Sequence, residues 1–205
     1  MSTGRVEAFS DGVFAIAITL LVLDIHVPRP GSGDLGHQLA AQWPSYAAYV
    51  ISFLTIGIIW INHHAMLRRI SRVDHPTMIL NLLLLMSVGV LPFTTALMAA
   101  YLKEGSGEHL AAAVYSASFL VMGLAFGATN RHILFARSDL LDPPIPLRRR
   151  RAMIVRGVGG SVPYLLAAVL ALLSPYVSLA ICGGVAVFYA LPFASVTEPL
   201  DAASG

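Results

Sequence analysis

Apolar positions dominate long runs of this chain, and polar positions collect in short breaks between them. The first run, residues 5–27 (RVEAFSDGVFAIAITLLVLDIHV), is 23 residues long. As a helix it reaches roughly 34 Å, slightly more than the ~30 Å hydrocarbon core of a bilayer. The break that follows, VPRPGSGDLGHQLAAQW, contains two prolines and three glycines and predicts an exposed connection. A second apolar run covers 45–66 and ends in Trp60, Asn62, His63 and His64, before the basic turn RRISRVDHP. The third, 76–101, opens with Pro76 in its first turn and carries Asn81 and Pro92 inside, where proline is expected to kink it. The fourth, 110–134, contains Gly123 and Gly127, a small-xxx-small pair suited to close helix approach. The segment RSDLLDPPIPLRRRR then reads as an extended connection, and 152–173 and 176–197 form a helical hairpin around Ser174 and Pro175. The pattern predicts an all-α integral membrane protein, one domain over 1–205 with six transmembrane helices.

Composition agrees with that pattern: of 205 residues, 57% are hydrophobic and 12% charged, and the mean hydropathy is +0.74, well above a soluble domain. The lone cysteine, Cys182, rules out an intrachain disulfide and reads as a small buried residue. A net charge of +2, with basic residues confined to short loops, gives no footprint for nucleic acid. Those basic residues do set topology. With six spans, Arg5, Arg68, Arg69, Arg72, Arg131, Arg137, Arg148 to Arg151 and Arg156 fall on one side, against Arg29 and Lys103 on the other. Both termini are therefore expected in the cytoplasm. A signal peptide over 5–27, cleaved near Ala15 or Ala17, fits less well, because its n-region is weakly basic and Asp11 interrupts it.

The chain has no HExxH helix, GxSxG elbow, GxxxxGK[ST] loop or paired cysteines, which argues against an enzyme. A TVGYG-type potassium filter is also missing. His63 and His64 are adjacent, so on a helix they diverge by ~100° and make a poor metal pair without ligands from elsewhere. The first helix carries the informative residues. Ile16, Leu20 and Leu23 share one face, with Thr19 beside it. Spacing alone permits that face to be simply lipid-exposed or packed. Asp11 points ~140° away from Ile16, and Arg5 lies ~120° from Asp11, so neither satisfies the other within the helix. Neighbouring spans or subunits must satisfy both, and Trp60, Asn62, His63, His64 and Asn81 are the polar groups at that end. At least one histidine is expected to join a network with Asp11. The alternative is that Ser10 and Asp11 cap a helix beginning at Gly12, which leaves ~24 Å of span.

Arg5-xxx-Phe9-Ser10-Asp11 followed by GVFAIAITLLVLDI resembles the signature of the transmembrane protein 175 family of potassium channels. That resemblance implies a homotetramer in which first helices line a central pore, with Ile16 at the narrowest constriction and Leu20 and Leu23 extending it. It implies that Thr19 contributes potassium preference. Arg5, Phe9, Ser10 and Asp11, with Trp60, Asn62, His63 and His64, correspond to the network that holds the pore helices. Family members in endolysosomes carry two such signatures per chain and bacterial ones carry one; this chain carries one, implying a bacterial plasma-membrane protein. Permeant potassium ions, other monovalent cations, lipid and further copies of the chain are then its partners, with no cofactor and no resident metal. Rings of Ile and Leu cannot coordinate a cation, so they gate by dewetting, with weaker selectivity than a carbonyl filter gives. Asp24, at the outer end of the helix, either concentrates cations at a pore entrance or is an ordinary interfacial residue ~80° from Ile16. Two other functions compete: a proton-coupled transporter using His63, His64 and Asp11 as a relay, and a noncatalytic membrane scaffold.

Overall fold

Proline and glycine decide where the helices stop. The computed structural model describes residues 3–31 and 33–191, and among these it is helical, with no strand beyond an isolated antiparallel bridge between Ile70 and Leu141. Helix α1 (Thr3–Leu20) tightens into a 3-10 turn, Leu21–Asp24, so the helix ends before Pro28 and Pro30 rather than running to 27. The following connection is not wholly irregular. Asp34 accepts from the His37 amide at 2.8 Å and caps a short helix, α2 (Leu35–Ala41). Helix α3 (Trp43–Leu67) begins with Pro44 in its first turn, and α4 (His75–Tyr101) is capped by Asp74 and continues through Pro92.

The turn from α4 to α5 (Glu108–Arg131) requires Gly107, whose φ of 83° is left-handed and where a Cβ would stand 3.1 Å from the Tyr101 ring. Helix α5 runs on into a π turn, His132–Ala136. Helix α6 (Leu147–Leu170) then starts earlier than the sequence predicts. Arg148 to Arg151, expected in an extended connection, form its first turns, because Pro146 precedes a helix-favouring Leu-Arg run. Ser174 caps α7 (Pro175–Ala190) by accepting from the Val177 amide at 3.4 Å; residues 192–197 of the expected last span lie outside the described residues.

Five helical segments are long and apolar enough to cross a membrane: Thr3–Asp24, Trp43–Leu67, His75–Tyr101, Glu108–Ala136 and Leu147–Leu170; α7 is apolar but shorter. Helix α4 is the most buried of the five and packs against α1, α3 and α5. The main core joins Phe14, Leu21, Ile56, Leu91, Tyr115 and Phe119, all essentially inaccessible. Hydroxyls tie the helices across it: Ser52 meets Thr95 at 2.8 Å and Tyr115 at 3.1 Å, and Ser116 meets Ser178 at 3.0 Å. Of the two glycines expected at a close helix contact, Gly123 meets Ser161 of α6, where a Cβ would lie 3.1 Å from its hydroxyl, whereas Gly127 faces open space.

A second, smaller core lies at the basic end of the bundle. Met66, Leu67, Ile70 and Val73 pack there with Ile133, Leu134, Leu140 and Leu141, and Val6 of α1 is seated among them. The two connections that build it are joined by backbone hydrogen bonds, Ser71 N–H to Leu140 O and Asp142 N–H to Arg69 O, both 2.9 Å. This small core fixes the start of α1 and so positions the residues around Ser10.

Candidate functional site

Helix α1 is two-faced. Val6, Ser10, Phe14 and Ala17, with Leu21 just beyond, are buried, at spacings of three and four residues. Phe9, Ile16, Leu20 and Leu23 are 56%, 61%, 43% and 68% exposed on the single chain, and Gly12 and Thr19 are exposed with them. The exposed set recurs at the same helical period, so it forms a stripe opposite the packed face.

The buried face carries a polar relay between three helices. Ser10 Oγ donates to Val6 O at 2.8 Å and accepts from Asn81 Nδ2 at 3.1 Å. Asn81 Oδ1 in turn accepts from His63 Nε2 at 2.7 Å; since a carbonyl oxygen only accepts, this bond fixes the Nε2–H tautomer of His63. Ser10, Asn81 and His63 are all buried, and the Phe14 ring lies 5.4 Å from that of His63. The chain of bonds ends on the Val6 carbonyl within α1.

On the flank between the two faces, Asp11 Oδ1 accepts from Trp60 Nε1 at 2.8 Å. One turn earlier Glu7 Oε1 stands 2.6 Å from His64 Nδ1. Ser10 and Asp11 therefore sit within a continuous helix that starts at Thr3, and the capping alternative is excluded. Both histidines reach α1, His63 through Asn81 and His64 through Glu7. Glu7 has no role in the sequence reading; its position one turn before Asp11 is the signal that could have placed it.

Three other residues expected in the network stay outside it. Asn62 is exposed and donates to its own helix at Ile58 O, 2.8 Å; Phe9 lies on the exposed stripe; and Arg5 is exposed, with no partner among the described residues. Thr19 donates its hydroxyl proton to Ile16 O at 2.9 Å, so the group it turns outward is an acceptor. Asp24 closes the 3-10 turn and is half-buried, and its carbonyl meets His26 Nδ1 at 3.0 Å.

The α4 cap anchors the basic end below this site. Asp74 Oδ1 accepts from the Thr77 amide at 3.1 Å and from the Thr77 hydroxyl, while Arg137 Nη1 donates to Asp74 Oδ2 at 2.6 Å and His132 Nε2 lies 3.5 Å away. Burial works to raise the Asp74 pKa, but the Thr77 hydrogen bonds, the nearby His132 ring and the Arg137 charge outweigh it and hold the carboxyl at about 2.

Residues 5–92, which take in most of α1, all of α2 and α3 and the first two thirds of α4, match the family model described as the endosomal/lysosomal potassium channel TMEM175. A potassium channel of Streptomyces collinus is 52% identical over 188 residues, covering 91% of each chain. The chain belongs to the TMEM175 family. A potassium channel of Chamaesiphon minutus is 40% identical over 192 residues, 92% of this chain and 94% of that one. The crystal structure of a lysosomal potassium-selective channel TMEM175 homologue from Chamaesiphon minutus superposes with a TM-score of 0.82 at 39% identity, over 93% of this chain and 97% of that one. TMEM175 is a channel family, not an enzyme family, and the matched residues 5–92 include all of those that assemble around Ser10 and Asp11.

Proposed function

We propose that this chain is the subunit of a homotetrameric, potassium-preferring cation channel whose pore is lined by α1. The observation that carries the reading is the two-faced α1: Ser10 is turned inward and bonded by α4, Asp11 on the flank is bonded by α3, and an apolar stripe stays uncovered by its own chain. One helix cannot enclose a pore, and a closed cyclic assembly that brings the stripes to a common axis would cover them. Ile16, at the middle of the stripe, forms the narrowest ring, and Leu20 and Leu23 extend it toward the end bearing Asp24.

These side chains offer no lone pairs to a desolvated ion, so the ring excludes water when narrow and conducts when widened. Thr19 lies between them with its proton committed to Ile16 O, presenting an oxygen acceptor to a passing cation. A single layer of hydroxyl oxygens replaces little of an ion's hydration shell, so preference for potassium over sodium is modest compared with stacked carbonyl rings. The protein resides in a bacterial plasma membrane with both termini cytoplasmic, as the arginine-rich end of the bundle and the bacterial relatives support.

The deciding experiment measures the reversal potential of the purified protein in planar bilayers under opposed potassium and sodium gradients. A reversal potential displaced toward the potassium equilibrium value is expected. Ile16→Asn, which makes the ring wettable, raises or alters the current. No conductance from correctly assembled protein sinks the channel and favours a scaffold; saturable flux driven by a proton gradient and lost in His63 variants favours the transporter.

A further inference from the structure

Glu7 and Asp11 occupy successive turns of α1, and His64 comes from the last two turns of α3. One donor atom from each, two carboxylate oxygens and a ring nitrogen, lie within 4.8 Å of one another. Like charges one turn apart on a helix repel. With His64 neutral, nothing in the trio balances the two carboxylates.

The orientation of each donor bears on what would balance them. His64 Nδ1 is shielded from solvent and makes no aligned hydrogen bond, although it stands 2.6 Å from Glu7 Oε1. At 2.6 Å the two atoms are closer than two ligands on one tetrahedral ion, which stand roughly 3.3 Å apart, so an ion entering here parts an existing contact and takes its place. Asp11 Oδ1 is held by Trp60 Nε1–H at 2.8 Å. That bond orients the carboxylate and leaves Oδ2 for a second partner, as outer hydrogen bonds do around metal ligands. The side chains of His64 and Glu7 are 41% and 25% exposed on the single chain, so its own helices leave the trio partly uncovered.

One imidazole nitrogen and two carboxylate oxygens suit a borderline divalent ion of the zinc type better than calcium or magnesium, which prefer all-oxygen shells. We propose that Glu7, Asp11 and His64 form a binding site for a divalent transition-metal ion that pins α1 to α3 and restrains movement of the α1 stripe. If His64 is protonated, the ion displaces that proton to solvent as it binds. The restraint rests on the reading of α1 as pore-lining, whereas the binding does not.

The test uses the full chain in lipid nanodiscs and Zn2+ alone as the probe, followed by calorimetry and by thermal unfolding. One ion per chain is expected, with an upward shift of the unfolding midpoint on saturation. His64→Gln and the more conservative Glu7→Gln should each weaken binding by about tenfold or more, with Glu104→Gln, in the α4–α5 turn, binding as the parent does. Undetectable binding in the parent, or binding retained in both site variants, overturns the site. In liposomes, Zn2+ should slow potassium flux through the parent and not through Glu7→Gln; flux insensitive to bound Zn2+ overturns the restraint. Absence of flux in every preparation overturns the channel reading while calorimetry still decides the site.

Discussion

Asn81 shows how much of the α1 packing depends on single polar groups. Its amide bonds to Ser10 through Nδ2 and to His63 through Oδ1, so Asn81→Ala strands the buried His63 Nε2–H and takes a donor from Ser10, whose own proton stays on Val6 O. Removing one side of a buried hydrogen bond costs about 1–3 kcal/mol, although interhelical bonds in membranes average nearer ~0.6 kcal/mol because partners are found in the unfolded state too. Here the stranded His63 is fully buried with its ring against Phe14, so the larger figure applies, and the unfolding midpoint should fall clearly. Asn62→Ala removes only an exposed bond to its own helix and should change stability by less than about 0.5 kcal/mol. Equal losses in the two variants would show that the relay does not hold α1. His63 and His64, adjacent in sequence, illustrate the limit of spacing arguments: one is buried against Asn81 and the other reaches Glu7, and only the packing of α3 against both α1 and α4 separates those fates.

At the scale of elements, the start of α4 is the clearest mechanical anchor. Asp74 both caps the helix and receives Arg137 from beyond α5, tying the two connections of the basic end. Asp74→Ala should cost about 1 kcal/mol for the lost cap, more if the Arg137 tie contributes. The pH dependence has a definite sign. The folded carboxyl titrates at about 2 against an ordinary 3.8, so its ionised form favours the folded state. That stability is fully present above about pH 4 and fades as pH falls toward about 2. Unfolding midpoints of the parent and Asp74→Asn should therefore differ near neutrality and converge in acid; a gap that stays constant would mean that the charge is not what stabilises the cap. Element boundaries in the sequence were legible wherever proline and capping residues coincide, as at Asp74–Pro76 and Ser174–Pro175. They were less so at Arg148 to Arg151, where a run of charges next to prolines resembles a loop although arginine is a good helix former.

For the whole molecule, the uncovered stripe of α1 determines what must be measured. A homotetramer predicts a protein mass of four times 21.9 kDa by light scattering after the detergent contribution is subtracted. Cysteine at position 23, introduced as Leu23→Cys, should form disulfide-linked dimers under oxidation, because stripes meeting at one axis bring equivalent residues together. A monomer of about the single-chain mass would remove the pore. The stripe itself was legible in the sequence as Ile16, Leu20 and Leu23 on one face, but a lipid-facing stripe has the same spacing. What distinguishes α1 is what lies opposite and beside the stripe, where Ser10 and Asp11 are bonded to α4 and α3.

The sequence by itself determined that the chain is helical and membrane-embedded, where most helices begin, and that α1 carries charged groups needing partners on other helices. Those conclusions follow from local rules of hydropathy, periodicity and capping, which act within a few residues. Only the tertiary structure decided which partners those are: Trp60 for Asp11, Asn81 for Ser10 and His63, and Glu7 for His64, with Asn62, Phe9 and Arg5 left outside. Hydrogen bonding at a helix interface depends on rotation and depth, and these are set by the packing of Phe14, Leu21 and Val6 into cores built from distant segments. No local pattern contains that information.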